Sequence, residues 1–194
     1  MLAERGITAA RINSNLKGKS SFIVYLNGTR YPSGVEAFVP IDGAGGGAHD
    51  QGLTYDSYGA LMKVEHVEQN GMGNNYSFFD IDTTTFAKIQ ANWRFHITAL
   101  SGRGAIGIIP YATADSTPGG IVAGLSAGQK IIDVYPGAVE IGSLTTDRSS
   151  PLNSYLDLTN YQGHYWLYFE AICTDNTSSS KAAWTYVYNV IMAV

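Results

Sequence analysis

The chain has 194 residues, of which 45% are hydrophobic and only 14% charged, and its formal net charge is −4. Soluble domains average about 25% charged residues, so part of this surface is expected to be covered by something other than solvent. Lys and Arg together number 12 and form no basic run, which argues against a nucleic-acid partner, and no stretch approaches the roughly 20 apolar residues that span a membrane.

Residues 1 to 20 are polar, with Ile7, Ile12 and Leu16 at mixed helical spacing. They are expected to form a short helix or an arm, either docked on a neighbouring subunit or frayed. They also lack the apolar core of a signal peptide, so the expectation is a protein made in the cytoplasm that leaves it, if at all, by lysis. Residues 21 to 194 are expected to form a single β domain, held by no disulfide because Cys173 is the one cysteine.

The first β signal is Phe22-Ile23-Val24-Tyr25-Leu26, followed by Asn27-Gly28, a pair suited to a hairpin turn because both turn positions need positive φ. The glycine-rich run at 42 to 52 lacks the Lys-Ser/Thr of a phosphate-binding loop and precedes Leu53-Thr54-Tyr55, which reads as strand, so a flexible loop is expected. Strands are then expected over 60–67, 76–81, 87–100, 104–111, 130–135, 139–141, 165–174 and 184–194, with a Pro/Gly loop at 113–120. About ten strands without a long helix predict an all-β antiparallel sandwich.

Two segments resemble each other. Asp82-Thr83-Thr84-Thr85-Phe86 precedes a strand with Trp93 and Phe95, and Asp157-Leu158-Thr159-Asn160-Tyr161 precedes one with Trp166 and Phe169. An Asp/Thr segment can turn a chain between two sheets by bonding its side chains to nearby backbone, while the aromatic four residues on plugs the end of the sandwich.

The second copy, with Asp157, Leu158, Thr159, Tyr161 and Gly163 ahead of alternating Tyr165, Leu167 and Phe169, resembles the corner of jelly-roll carbohydrate-binding and lectin-like modules. Such modules also occur in bacteriophage tail, baseplate, fibre and capsid-decoration proteins. The resemblance implies a jelly-roll fold and, by the calcium that these modules often hold, a structural site among Asp80, Asp82 and Asp157; in a strand, Asp80 and Asp82 share a face. The competing reading is that these carboxylates cap turns. The first copy lacks the glycine after its aromatic.

Chemistry offers little else. The four histidines have no metal-ligand spacing, Cys173 lies in an apolar strand, and no nucleophile or nucleotide motif is present, so no enzyme is expected. Trp166, Tyr168 and Trp184 are the candidate sugar platforms, against the alternative that strand tryptophans pack a core. In residues 165 to 169 alternation puts Trp166 and Tyr168 on one face and Tyr165, Leu167 and Phe169 on the other, so both faces are apolar and one must meet a second layer or another subunit. The expectation is therefore a non-enzymatic structural protein of a bacteriophage-like virion. It would assemble with itself (a trimer, by the fibre analogy) and with other virion proteins, and would bind host surface glycans. The alternative is a carbohydrate-binding module for adhesion or attached to a polysaccharide-active enzyme.

Overall fold

The computed structural model describes residues 21–26, 35–42, 50–56, 59–67, 72–99, 101–111, 117–126, 128–174 and 181–194, those before residue 72 by backbone pairing alone. Its strands are β1 (Ser21–Leu26), β2 (Val35–Asp42), β3 (Asp50–Asp56), β4 (Gly59–Val67), β5 (Met72–Asp82), β6 (Lys88–Ile97), β7 (Ser101–Pro110), β8 (Val139–Leu144), β9 (Leu152–Asp157), β10 (His164–Thr174) and β11 (Lys181–Ala193). Two short helices, α1 (Pro118–Ala123) and α2 (Ile131–Val134), lie between β7 and β8.

The strands form two antiparallel sheets. Sheet A runs β3-β4-β11-β6-β9, with β1 also paired to β11, and sheet B runs β2-β5-β10-β7-β8. β11 pairs with β6 on one side and with β4 and then β1 on the other, so it lies inside its sheet. Every pair of consecutive strands except β3–β4 and β7–β8 lies in different sheets, which makes the all-β sandwich read from the sequence.

Alternation builds the core. Ile89, Ala91, Trp93 and Phe95 of β6 point inward and meet Leu167, Phe169 and Ala171 of β10, with Ile106 and Ile108 of β7 and Val187 and Val190 of β11. Each Val, Leu, Ile or Phe among them contributes about 1.5–3 kcal/mol on full burial. Trp93 keeps its ring nitrogen satisfied by donating to Ser154 Oγ at 3.0 Å.

Both Asp corners occur as expected. Asp82 Oδ1 accepts from the Thr84 amide at 2.9 Å and its hydroxyl at 2.6 Å, and Asp157 Oδ1 accepts from the Thr159 amide at 2.8 Å and its hydroxyl at 2.6 Å. Phe86 is buried at the end of the core, while in the second corner it is Leu158 that is fully buried and Tyr161 packs beside it. The first corner carries the chain from sheet B to sheet A and the second carries it back.

Three local expectations are corrected. Residues 130 to 135 are a helical turn and no strand: Ile131 and Tyr135 share one buried side, and the Tyr135 amide donates to the Ile131 carbonyl at 3.1 Å. A run of six cannot separate that spacing from strand alternation. The Pro/Gly loop ends in α1, whose start is capped by Thr117 Oγ1 accepting from the Gly120 amide at 3.1 Å, with proline in the first turn. β2 and β9 carry no strong signal, the first because Pro40 interrupts it and the second because it is short and polar at every other position. The N-terminal segment 1–20, the Asn27-Gly28 turn and most of the glycine-rich run lie outside the described residues.

Candidate functional site

The outward face of sheet A concentrates flat side chains. On β11 the buried residues Ala183, Thr185 and Val187 alternate with half-buried Trp184, Tyr186 and Tyr188. Alternate residues of a strand stand about 7 Å apart, so Trp184 and Tyr186 form a row along the middle of the sheet, and Tyr188 follows at the bulge where the register with β6 shifts between Val187 and Asn189. β6 supplies the neighbouring row: the register pairs Trp184 with His96 and Tyr186 with Arg94.

These cross-strand pairs are in ring contact. The His96 imidazole stacks on Trp184 with centroids 4.7 Å apart and planes at 18°, and the Arg94 guanidinium carbon lies 4.2 Å over the Tyr186 ring. The loop after β8 holds both bases from the far side. Asp147 Oδ1 bonds His96 Nδ1, which holds the Asp147 carboxyl below the usual carboxylate range, and Arg94 Nη1 donates to the Ser149 carbonyl at 3.2 Å. Further along, Asn92 Nδ2 donates to Asn153 Oδ1 at 2.9 Å, and Tyr155 on β9 is 71% exposed opposite Gln90. Fixed rings interleaved with amide, guanidinium and imidazole groups suit a ligand that is apolar on its faces and hydroxylated around its rim.

A second cluster lies at one end of sheet B. His164 Nε2 bonds Asp80 Oδ1, and Tyr111 stacks on His164 (3.9 Å, 9°) and on Trp166 (5.2 Å, 21°).

Of the sequence-derived platforms, only Trp184 reaches a solvent-facing sheet surface. Trp166 is 3% exposed and Tyr168 0%, so neither can stack on a sugar. They are packed with Tyr76, Phe78, Ala105 and Ile109 of sheet B beneath Ile121, Leu125, Ile131, Tyr135 and Ala138. The excursion between β7 and β8 is thus a cap over the outer face of sheet B. It also answers the doubly apolar β10: the second face meets this chain's own cap, and calls for no subunit.

The candidate metal residues are corrected as well. Asp82 and Asp157 turn their carboxylates onto their own corners, Asp80 onto His164, and no group of three or more His, Cys, Asp or Glu residues suited to a metal occurs among the described residues. Among the described residues the donor set does not fit calcium: Asp82 and Asp157 fill the turn-capping role, while Asp80 pairs with a histidine. Arg94, His96, Asn92 and Tyr155 were not identifiable in advance; the alternation of polar and apolar residues in β6 marks an exposed face but not its neighbours.

No family model matches the chain, and no curated protein is similar to it. Among solved structures it is similar in fold to a family 29 carbohydrate-binding module carrying an R112A change, at 8% identity over 90% of this chain and 91% of that one, with a TM-score of 0.46. A family 29 module from Piromyces equi matches at 11% identity over 90% and 91%, TM-score 0.38. A family 61 module in complex with β-1,4-galactotriose matches at 6% identity over 70% and 71%, TM-score 0.41. Likenesses this faint add no argument about function, and the site stands on its own residues.

Proposed function

We propose that this chain is a non-catalytic carbohydrate-binding module that takes a glycan on the outer face of sheet A. The observation that carries the reading is the row of Trp184 and Tyr186, braced by His96 and Arg94 on the adjacent strand. A pyranose offers C–H faces to aromatic rings and hydroxyls to the surrounding nitrogen and oxygen groups, and this face presents both. Stacking and pairing preset the side chains, which lowers the ordering cost of binding.

The virion structural reading rests on low charge, an expected N-terminal arm and, most strongly, the second apolar face of β10. With that face under the cap, the glycan reading is the better supported of the two.

The test is a glycan array with the intact chain, followed by titration of any hit against Trp184→Ala and Tyr155→Ala variants checked for folding. Loss of at least about tenfold in affinity for Trp184→Ala, with thermal midpoint nearly unchanged, supports the site. Absence of binding to every glycan class, or binding untouched by both substitutions, removes it.

A further inference from the structure

The cap rests on a buried ionic chain that no glycan reading uses. Glu170 of β10 is 0% exposed and Arg103 of β7 only 6%. Arg103 Nη1 donates to Glu170 Oε1 at 2.7 Å, and Arg103 Nη2 pairs with Glu140 on β8. Glu170 Oε2 then accepts the amide of Ile131, the first residue of α2, at 3.0 Å. Neutral contacts accompany this one: Asn74 Oδ1 accepts from the Gly128 amide at 2.7 Å, Asn74 Nδ2 donates to the carbonyls of Gln129 at 3.0 Å and Ser126 at 3.3 Å, and the Tyr76 hydroxyl donates to the Gln129 carbonyl at 3.0 Å.

Counting charge makes the arrangement unequal. One guanidinium lies between two carboxylates, Glu170 fully buried and Glu140 with 24% of its side chain exposed, so full ionisation leaves one negative charge in excess in a cluster that solvent reaches only at Glu140. The other groups facing Glu170 do not cancel it. Lys130 and Asp133 pair with each other at 3.6 Å, and Tyr76, Tyr168 and Tyr135 are neutral phenols in a buried setting. A buried unpaired charge is costly, and a proton on one carboxylate removes it.

We propose that the Glu140–Arg103–Glu170 chain is a proton-dependent latch on the cap, closed when one of its carboxylates carries a proton and loosened when both are ionised. Burial, ahead of the opposing pull of Arg103, raises the Glu170 carboxyl to about 7. The sign follows from linkage. A folded-state value above the ordinary carboxylate range means that the closed cap holds a proton the opened cap releases. The latch is at full strength at low pH and weakens as pH rises towards and past neutrality. Opening would uncover Trp166, Tyr168, Tyr76 and Phe78 together, since all four lie under the cap.

Hydrogen exchange by mass spectrometry on the intact chain between pH 6 and 8.5, corrected for intrinsic rates, tests the latch. Peptides spanning 117–138 are expected to lose protection as pH rises, by up to about tenfold per unit for one released proton, while β6 and β11 peptides stay level. Glu170→Gln, which cannot ionise, should give a pH-independent cap. Glu140→Gln leaves Arg103 balanced by Glu170 alone and should flatten the same window, which keeps the test decisive if the first variant does not fold. A wild-type cap whose protection is flat with pH, or a variant that keeps the wild-type slope, overturns the proposal.

Discussion

Thr83 and Gly163, eighty positions apart, exchange bonds at one end of the sandwich: the Thr83 amide donates to the Gly163 carbonyl at 2.8 Å, and the Gly163 amide donates to Thr83 Oγ1 at 3.1 Å. The Thr83 hydroxyl in turn reaches the carbonyls of Tyr161 and Gly163. Gln162 ties in the rest, with Nε2 at 3.0 Å from the Phe86 carbonyl and 2.6 Å from that of Leu158. The two Asp corners are therefore one interlocked unit joining both sheets.

Thr83→Val tests that unit, because it keeps the shape and removes the hydroxyl. The half-buried Gly163 amide loses a partner, and a loss of about 1–3 kcal/mol in unfolding free energy is expected. Urea denaturation should show a lower midpoint at unchanged m-value.

Asp157 is held below its ordinary value by the Thr159 hydroxyl and then the Thr159 amide. A depressed carboxylate stabilises above its unfolded pKa, about 4, and that contribution fades as pH falls below it. Asp157→Ala should melt at a lower temperature than the parent at pH 7, with the two melting curves converging by about pH 2 to 3. A gap that persists in acid would mean the carboxylate charge is irrelevant to the corner.

The Tyr168 hydroxyl is buried with no hydrogen-bond partner among the described residues, and its acidity is suppressed chiefly by that burial. Tyr168→Phe removes an unsatisfied group and leaves the ring in place. No loss of stability is expected, and desolvation alone predicts a gain of about 1 kcal/mol. Calorimetry of the pair gives the sign directly. Trp166→Ala should do the reverse and cost about 3–5 kcal/mol, since it empties a large buried volume.

Gly107 faces Tyr168 across the β7–β10 pair. A Cβ there would stand 2.5 Å from the Tyr168 ring and 2.5 Å from the Val139 carbonyl. Gly107→Ala should therefore destabilise by about 1–3 kcal/mol through overpacking. Because the strain falls on β8 and the cap, cap peptides should lose exchange protection before those of β6.

Much of the sandwich was legible because sheet alternation is a local property. Ile89 to Phe95 and Leu167 to Cys173 display their core faces within a few residues, and an Asp followed two residues later by Thr carries its own turn chemistry in both corners. The site was only partly legible. Trp184 was named from its residue type and strand, whereas its stacking on His96 depends on which strand lies beside β11, a fact no single strand contains.

The sequence by itself determined that strands alternate, that two similar corners turn them, and that β10 is apolar on both faces. Only the tertiary structure decided what covers each face: a cap of two short helices buries Trp166 and Tyr168, while Trp184 and Tyr186 stay on an open sheet beside His96 and Arg94. The physical reason is that side-chain direction is set by backbone geometry over two residues, but burial is set by partners brought from thirty or more positions away.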